Sequence, residues 1–347
     1  MRQVAIVGFA QRQHARFDGS PNGVEMLVPI FVECFARSGF TKSDIDFWCS
    51  GSSDYLAGRS FSFVSAVDAI GAIPAVRESH VEMDAAWALY EAWVKIQTGE
   101  IDTALVYGFG KSSAGVLRRT LALQLDPYTM TPLWPDTVAL AGLQARLGLE
   151  SEQWSEHDMA SVVARNLSAA TSNPHAIRQL DMTADDVLSE PMYCDPLRKL
   201  DCAPVTDGAA AIVLSARKQP SDSPTAFITG ITHAIDAHHL GARNLLRAPS
   251  VQAAARQLDL TNLDVTELHA PFSHQELMVT RELDLAESTT LNPSGGALSG
   301  NPMFAGGLIR IGEAATAIQR GDAQKALAHA TSGPLLQQNL LCVMEAR

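Results

Sequence analysis

Two histidines and a carboxylate lie close together in the segment LHAPFSHQE, at positions His269, His274 and Glu276. A strand-to-helix loop that carries two histidines five positions apart can place one imidazole in a pocket, where it acts as an acid or a base. The alternative is that Ser273 caps a helix and that His274 and Glu276 lie on its solvated first turn. His269 and His274 are therefore candidate catalytic residues.

A second pair of acidic residues, Glu82 and Asp84, comes directly before the apolar segment AAWALYEAW, which has the spacing of a helix. Carboxylates at the start of a helix are often only caps, because they interact favourably with the helix dipole. In a buried layer the same carboxylates could take or give a proton. Glu82 and Asp84 are kept as candidate catalytic residues.

The loop NPSGGALSGNP carries groups that could stabilise a negatively charged oxygen. The amide of Asn301 can donate a hydrogen bond to an oxyanion, but it cannot carry a proton as an imidazole does. Backbone N–H groups of Ser294, Gly295 and Gly296 are further candidate donors, although glycines also serve close backbone approach. Gly333, in the segment ALAHATSGPL, is expected to belong to the same substrate-binding set.

The elements that must position these residues alternate between strand and helix. Buried strands are predicted from QVAIVGFA, DTALVYGFG and DGAAAIVLS, and helices from VEMLVPIFVECFARSG, AAWALYEAWVKIQTG and SEHDMASVVARNLSAAT. This alternation predicts an α/β fold. Residues 112–200 are richer in proline and polar residues, which predicts an insertion with loops. The segment KQPSDSPT is a linker candidate, so the predicted units are residues 1–217, which carry the insertion, and 218–347.

An internal repeat supports this division. The segment IQTGEIDTALVYG (Ile96 to Gly108) aligns without gaps with IQRGDAQKALAHA (Ile318 to Ala330), at a constant offset of 222 residues. Each copy reads as the end of a small-residue helix, a glycine stop, an acidic residue and a buried strand. We infer two similar βαβ halves whose small-residue helices pack closely in a central layer.

Composition excludes several classes of protein. The chain of 347 residues has 26 basic and 38 acidic residues, and a net charge of −12 is unsuited to nucleic acid or to anionic lipid. No apolar run approaches the length of a membrane span or of a signal peptide, so a cytoplasmic location is expected. Only 18% of the residues are charged, which favours a large core or a permanent oligomer interface. The five cysteines lack CxxC spacing, and Asp236, His238 and His239 are typical of a solvated loop, so no metal site is predicted.

Several segments resemble the thiolase superfamily, and in particular the sterol-carrier-protein type of thiolase, over nearly the whole chain. They are VAIVGFA, TGEIDTALVYGFGKSS, SNPHA, PLRKLDCAPVTDGAAAIVLS, LHAPFSHQE and NPSGGALSGNP. The resemblance implies a thiolase fold, which is a five-layer αβαβα arrangement, an obligate dimer, and acyl thioesters of coenzyme A as substrates with no other cofactor. It also matches His269 to the histidine of the family motif HD-x-F.

The chain departs from the family at three places. The nucleophilic cysteine at the start of the first central helix is missing, since the ungapped alignment places Glu82 there and a three-residue gap places Ala85 there. The family has Gly-His-Pro where this chain has Asn301 between its glycine and proline. The second catalytic cysteine is absent from ALAHATSGPL, and Cys342 comes too late. Without a thiolate there is no covalent acyl-enzyme, which disfavours a thiolase or acyltransferase and leaves it as a third choice.

These departures resemble a subgroup of bacterial lipid-transfer-protein aldolases that degrade steroid side chains. The resemblance implies retro-aldol cleavage of a β-hydroxyacyl-CoA, a small partner with an OB-fold and a zinc ribbon, and tyrosines as proton carriers. Tyr55 and Tyr128 are expected in loops and are the preferred candidates among the five tyrosines. The alternative function is a catalytically silent subunit or lipid carrier in a homo- or heteromeric complex.

Overall fold

The computed structural model describes residues 2–15, 22–57, 60–217 and 224–347. The strands are β1 (Ala5–Ala15), β2 (Phe47–Gly51), β3 (Glu78–Val81), β4 (Thr103–Gly110), β5 (Met192–Cys194), β6 (Leu197–Arg198), β7 (Val205–Ser215), β8 (Ala226–Ile235), β9 (Val265–Glu267), β10 (Thr290–Leu291), β11 (Asn301–Pro302), β12 (Lys325–Ser332) and β13 (Gln338–Ala346). The α-helices are α1 (Gly23–Ser38), α2 (Asp54–Ala57), α3 (Ser62–Ile70), α4 (Ala85–Gln97), α5 (Leu117–Ala122), α6 (Thr137–Glu150), α7 (Glu156–Ala169), α8 (Ala184–Ser189), α9 (Pro249–Ala255), α10 (Ser273–Leu283), α11 (Gly296–Ser299) and α12 (Gly306–Arg320).

Eleven strands form one mixed sheet in the order β10-β9-β12-β13-β8-β1-β7-β4-β2-β3, with β11 beside β7. Strands β3, β2 and β4 are mutually parallel and continue into the antiparallel β7 and β1. Strands β10, β9 and β12 are likewise parallel and continue into the antiparallel β13 and β8. The two halves of the sheet therefore have the same strand order, and they meet where β1 pairs with β8.

The internal repeat occupies equivalent places in these halves. One copy covers the end of α4 and most of β4, and the other covers the end of α12 and most of β12. The glycine stops, Gly99 and Gly321, have φ values of 78° and 82°. This left-handed conformation favours glycine, because a side chain there is strained. The predicted order of helix, glycine and strand is confirmed in both copies.

The helices and sheet halves stack in five layers. Helices α4 and α12 share one apolar cluster with strands of both halves and form the central layer. Helix α1 packs on the outer face of the first half, and α9 and α10 on the outer face of the second. The predicted α/β class and layer order are confirmed.

Alternation along the strands explains how the central layer packs closely. In β12 the residues facing α4 and α12 are Ala326, Ala328 and Ala330, whereas Leu327 faces the outer cluster. Successive side chains of a strand point to opposite faces, so a small residue at every second position leaves room for two helices between the sheet halves.

The segment that follows β4 forms α5 to α8 and the hairpin of β5 and β6, and the insertion expected at 112–200 stays a prediction. The predicted linker KQPSDSPT falls largely on residues 218–223, which lie outside the described residues, so the boundary after residue 217 stays a prediction. Among the described helices, none combines the length and apolar content needed to cross a membrane.

Candidate functional site

A cavity of about 220 Å³ opens beside the starting ends of α4 and α12. One wall comes from α5, α6 and the connection between them, and the other from the loops that follow β9, β11 and β12. Its polar groups include Asp84, His269 and Asn301. Its apolar wall includes Leu121, Leu125, Val138, Phe272, Leu335 and Leu336. A mostly apolar cavity with a few convergent polar groups is typical of a small-molecule site.

His269 and Asn301 form a hydrogen-bonded pair in this cavity. His269 Nε2 lies 2.8 Å from Asn301 Oδ1, and the backbone N–H of Thr331 lies 3.4 Å from His269 Nδ1. Because Nδ1 faces a donor, the consistent tautomer carries its proton on Nε2 and donates it to the Asn301 carbonyl oxygen. Burial lowers the pKa of His269 to about 4, and the positive charge of Arg310 adds to this shift, so the imidazole is neutral at neutral pH.

This pairing determines what Asn301 can offer to a ligand. Its carbonyl oxygen is occupied by His269, and its backbone N–H donates to Thr206 Oγ1 at 3.0 Å. Its amide Nδ2 has no hydrogen-bond partner within the described part of the chain. Asn301 therefore presents an N–H donor to the cavity, which is the group that an oxyanion requires.

The Asp84 carboxylate lies where two helices begin. It caps α4 by accepting a hydrogen bond from the backbone N–H of Ala86 at 2.9 Å. It also accepts from the N–H groups of Gly307 at 2.9 Å and Leu308 at 3.1 Å, in the first turn of α12. Burial raises the pKa of Asp84, and these three donors oppose the rise. Asp84 thus joins the two central helices and also lines the cavity.

Two consecutive glycines bring the carboxylate and the histidine–asparagine pair together. A Cβ atom on Gly306 would lie 2.8 Å from both His269 Nε2 and Asn301 Oδ1, and one on Gly307 would lie 2.6 Å from Asp84 Oδ1. These distances are shorter than ordinary contacts with a Cβ atom allow. The start of α12 must therefore be free of side chains for the three polar groups to converge.

Cys202 is the one described cysteine that lines the cavity. Burial raises the pKa of its thiol to about 12, and the neighbouring Asp201 carboxylate adds to the rise. A thiol with this pKa is protonated at neutral pH and is a weak nucleophile. At the start of α4, the position that the gapped alignment assigns to the nucleophile is Ala85, which is fully buried.

Ser294, Gly295 and Gly296 do not line the cavity, and their expected role as oxyanion donors stays a prediction. The backbone N–H of Ser294 donates to Glu267 Oε1 at 2.9 Å, and its hydroxyl donates to Glu267 Oε2 at 2.8 Å. Gly295 donates its N–H to the carbonyl oxygen of Asn292 at 2.8 Å. Gly295 and Gly296 have φ values of 96° and 60°, so they serve the turn itself. Of the predicted backbone donors, only Gly333 lines the cavity.

His274 lies behind the cavity wall rather than in it. It is fully buried, its ring is near those of Trp154 and Phe272, and its Nε2 lies 3.1 Å from Gln144 Oε1. Burial lowers its pKa to about 3. Both expectations for this residue are corrected: it does not face the cavity, and it does not lie on a solvated first turn. The helix cap at this point is Phe272, not Ser273.

Three other candidates lie on the surface and do not line the cavity. Glu82 is exposed after the end of β3, and its carboxylate accepts a hydrogen bond from Ser53 Oγ at 3.2 Å. Its expected place in a buried layer is taken by Asp84. Tyr55 lies in the short helix α2 rather than a loop and is 71% exposed, and Tyr128 is 88% exposed. The catalytic roles expected of these three residues stay predictions.

The sequence did not single out several residues that shape the cavity. Thr331 orients His269, and Leu335 and Leu336 supply part of the apolar wall. The sequence pattern around these residues indicates little, because a short loop between two strands has no periodicity that separates cavity residues from core residues. In the loop expected to be solvated, His238 and His239 are exposed. Asp236 pairs with Arg243, and His238 Nε2 lies 2.8 Å from the carbonyl oxygen of Gln124.

Comparison with known proteins agrees with this architecture. Residues 224–340 match the family described as Thiolase, C-terminal domain. An acetyl-CoA acetyltransferase of Methanothermobacter thermautotrophicus is 24% identical, over 94% of this chain and 93% of that protein. Human sterol carrier protein 2 is 26% identical, over 94% of this chain and 67% of that protein.

Two solved structures show the same fold. One, named Ltp2-ChsH2(DUF35) aldolase, has a TM-score of 0.79 and 18% identity, over 99% of this chain and 98% of that one. The acetyl-CoA acetyltransferase of Bacillus anthracis has a TM-score of 0.81 and 18% identity, over 100% of this chain and 99% of that one. Together with the family match and the relatives in sequence, they show that this chain has the thiolase fold and is similar to proteins of the thiolase superfamily, sterol carrier protein 2 among them.

Proposed function

We propose that this protein cleaves a carbon–carbon bond of a β-hydroxyacyl-CoA by a retro-aldol reaction, with a bulky, steroid-derived acyl group as substrate. The observation that carries this proposal is the make-up of the cavity. It combines a carboxylate and an amide N–H donor with a cysteine whose pKa is near 12. Such a set can transfer protons and stabilise an enolate, whereas a protonated thiol is a weak nucleophile and disfavours an acyl-cysteine.

In this mechanism the Asp84 carboxylate takes the proton of the substrate's β-hydroxyl group. The oxygen's electron pair then forms the carbonyl bond of the leaving ketone or aldehyde, and the Cα–Cβ bond breaks. Its electrons pass into the thioester as an enolate, whose oxygen accepts a hydrogen bond from Asn301 Nδ2. The protonated Asp84 finally gives its proton to the α-carbon, which yields a shortened acyl-CoA and restores the carboxylate.

His269 is the positioning residue of this scheme. Its Nε2–H holds the Asn301 carbonyl oxygen, so that the amide nitrogen faces the substrate. The low pKa of about 4 keeps His269 neutral and keeps its Nδ1 available to the Thr331 N–H. A protonated imidazole would lose that hydrogen bond.

We further propose a dimer of thiolase-like chains that works in the cytoplasm with a small OB-fold and zinc-ribbon partner. The support is the resemblance stated above, together with a fold neighbour whose name joins two components, Ltp2 and ChsH2(DUF35). The zinc would belong to the partner. Among the residues described here, no group of three or more metal-ligating side chains is assembled.

The second candidate is a lipid carrier or silent subunit, and the apolar wall of the cavity is the observation that favours it. The third is acyl transfer, as in the relatives named acetyltransferases. It would require a nucleophile other than the protonated Cys202.

The deciding experiment incubates the purified protein with a β-hydroxyacyl-CoA of a steroid side chain, with and without the zinc-ribbon partner and in the absence of free CoA. We expect a ketone or aldehyde and a shortened acyl-CoA, both detected by mass spectrometry. Product only from a 3-ketoacyl-CoA, and only after free CoA is added, would show thiolysis. Tight binding without any product under either condition would show a carrier.

A further inference from the structure

The turn between β12 and β13 holds two neighbouring leucines in an uncommon conformation. Leu335 and Leu336 have φ values of 56° and 58°, and Gly333 in the same turn has 72°. The left-handed region is unfavourable for a non-glycine residue, because it brings the Cβ atom too close to the following carbonyl oxygen. Strain of this kind persists only where surrounding contacts impose it, and it is concentrated at ligand-binding sites.

Arg243 is the main contact that imposes this conformation. Its guanidinium donates to the carbonyl oxygen of Pro334 at 3.0 Å and to that of Leu335 at 2.6 Å, and it pairs with Asp236 at 3.4 Å. Its side chain is only 2% exposed, so the three contacts fix one geometry.

A second set of contacts holds the other end of the turn. Asn339 Nδ2 donates to the carbonyl oxygen of Leu336 at 2.9 Å and to Ser250 Oγ at 2.7 Å. The backbone N–H of Asp236 donates to the carbonyl oxygen of Gln337 at 2.8 Å. The turn is thereby tied to the loop after β8, to α9 and to β13.

The result of this conformation is an apolar wall. Leu335 and Leu336 are 4% and 2% exposed, and both line the cavity. They belong to the same apolar cluster as Leu125 and Leu140, which come from the insertion and also line the cavity. An acyl group that extends between the insertion and this turn would contact leucines on both sides.

We infer that the turn of residues 333–336, held by Arg243, is a specificity element that selects thioesters with a bulky apolar acyl group over short ones. This inference rests on the proposed function, because it concerns the acyl part of the same substrate. Leu335 and Leu336 would contact the ring system, and Arg243 would act through them as a positioning residue. A two-carbon acyl group has far less apolar surface than a ring system to place against this wall.

The test measures binding with thioesters that cannot undergo cleavage, so its outcome is independent of the retro-aldol assay. Isothermal titration calorimetry compares the CoA thioester of a steroid carboxylic acid without a β-hydroxyl group with acetyl-CoA. We expect Leu335→Ala and Leu336→Ala each to weaken binding of the steroid thioester about tenfold and to leave acetyl-CoA unchanged. Arg243→Lys keeps the charge but loses the planar fork, and it should reduce the ratio of the two affinities in the same direction.

The matched control is Leu283→Ala, since Leu283 belongs to the same apolar cluster but does not line the cavity. It should lose stability while its affinity ratio stays that of the unmodified protein. Equal changes for both thioesters in the Leu335 and Leu336 variants would overturn the inference. So would an unchanged ratio in folded Arg243→Lys, or a protein that binds neither thioester.

Discussion

At the scale of single residues, the chemistry of the cavity depends on which atoms remain free after internal hydrogen bonds are made. Asn301 keeps its amide N–H groups because His269 occupies its carbonyl oxygen at 2.8 Å. Ser294 has lost its donors to Glu267. Whether a polar side chain is free to bind a ligand therefore depends on its hydrogen-bond partners within the protein, and residue type alone does not decide it.

Replacement of the Asn301 amide tests the proposed enolate contact. We expect Asn301→Ala to lower kcat for cleavage about 100-fold, because one hydrogen-bond donor to the developing oxyanion is lost. Asn301→Asp has the same shape without the donor and should lower kcat at least as far. The measurement is steady-state formation of the shortened acyl-CoA. Turnover that is unchanged in Asn301→Ala would remove this residue from the mechanism.

Replacement of the Asp84 carboxylate tests the proposed proton acceptor. Asp84→Asn keeps the size of the side chain but removes the base, so we expect cleavage to slow by about 100-fold or more. Binding of a non-cleavable thioester should stay within a few-fold of the unmodified protein. If the activity falls only in parallel with the fraction of folded protein, Asp84 is a helix cap and nothing more.

At the scale of elements, the start of α12 decides whether the polar groups can meet. Gly306 and Gly307 lie under His269, Asn301 and Asp84, at distances that no Cβ atom tolerates. Helix propensity argues against two glycines in the first turn of a helix, because each costs up to about 1 kcal/mol relative to alanine. Close approach of the site to the backbone explains why they are found there.

The variant Gly306→Ala tests this explanation. Its Cβ atom must displace His269 or Asn301, so we expect cleavage to fall at least about tenfold even though alanine favours the helix. The control is Ala317→Gly on the same helix, which lies away from the cavity and should reduce stability by about 1 kcal/mol without loss of kcat. Comparable kcat values for Gly306→Ala and the unmodified protein would contradict the proposed geometry.

At the scale of the whole molecule, buried neutral histidines make stability depend on pH. Burial lowers the pKa of His269 and His329 to about 4 and that of His274 to about 3, from an ordinary value of 6.5. At a pH between the lowered pKa and 6.5, each of these histidines is more protonated in the unfolded chain than in the folded one. The three histidines therefore reduce stability as pH falls below 6.5. Burial raises the pKa of Asp84 and Glu267, and these carboxyls act in the opposite direction.

A single substitution tests how much one buried histidine contributes to the pH dependence of stability. His274→Gln can keep a hydrogen bond to Gln144 but does not titrate. We expect the free energy of unfolding of the variant to fall less steeply between pH 6 and pH 4, by up to about 1.4 kcal/mol per pH unit. Urea unfolding at a series of pH values measures the slope of the free energy of unfolding against pH for the variant and for the unmodified protein. Parallel slopes would show that His274 is not held neutral in the folded protein.

Local patterns in the sequence were enough to predict the α/β class, the two halves and the small-residue central layer. The glycine stops Gly99 and Gly321 and the alanines of β12 report directly on backbone conformation and on packing at period two. Such features depend on residues that are close in sequence, so a short stretch of sequence is enough to predict them.

The site could be predicted only in part, because its members come from distant parts of the chain. Asp84, His269, Asn301 and Gly333 do line one cavity, while Glu82, His274, Ser294, Tyr55 and Tyr128 do not. Before folding, Asn301 and Ser294 were equivalent candidates in one loop. Only the tertiary structure gave Ser294 a buried carboxylate partner and left the amide of Asn301 facing the cavity, because hydrogen-bond partners and burial are set by residues that lie far apart in sequence.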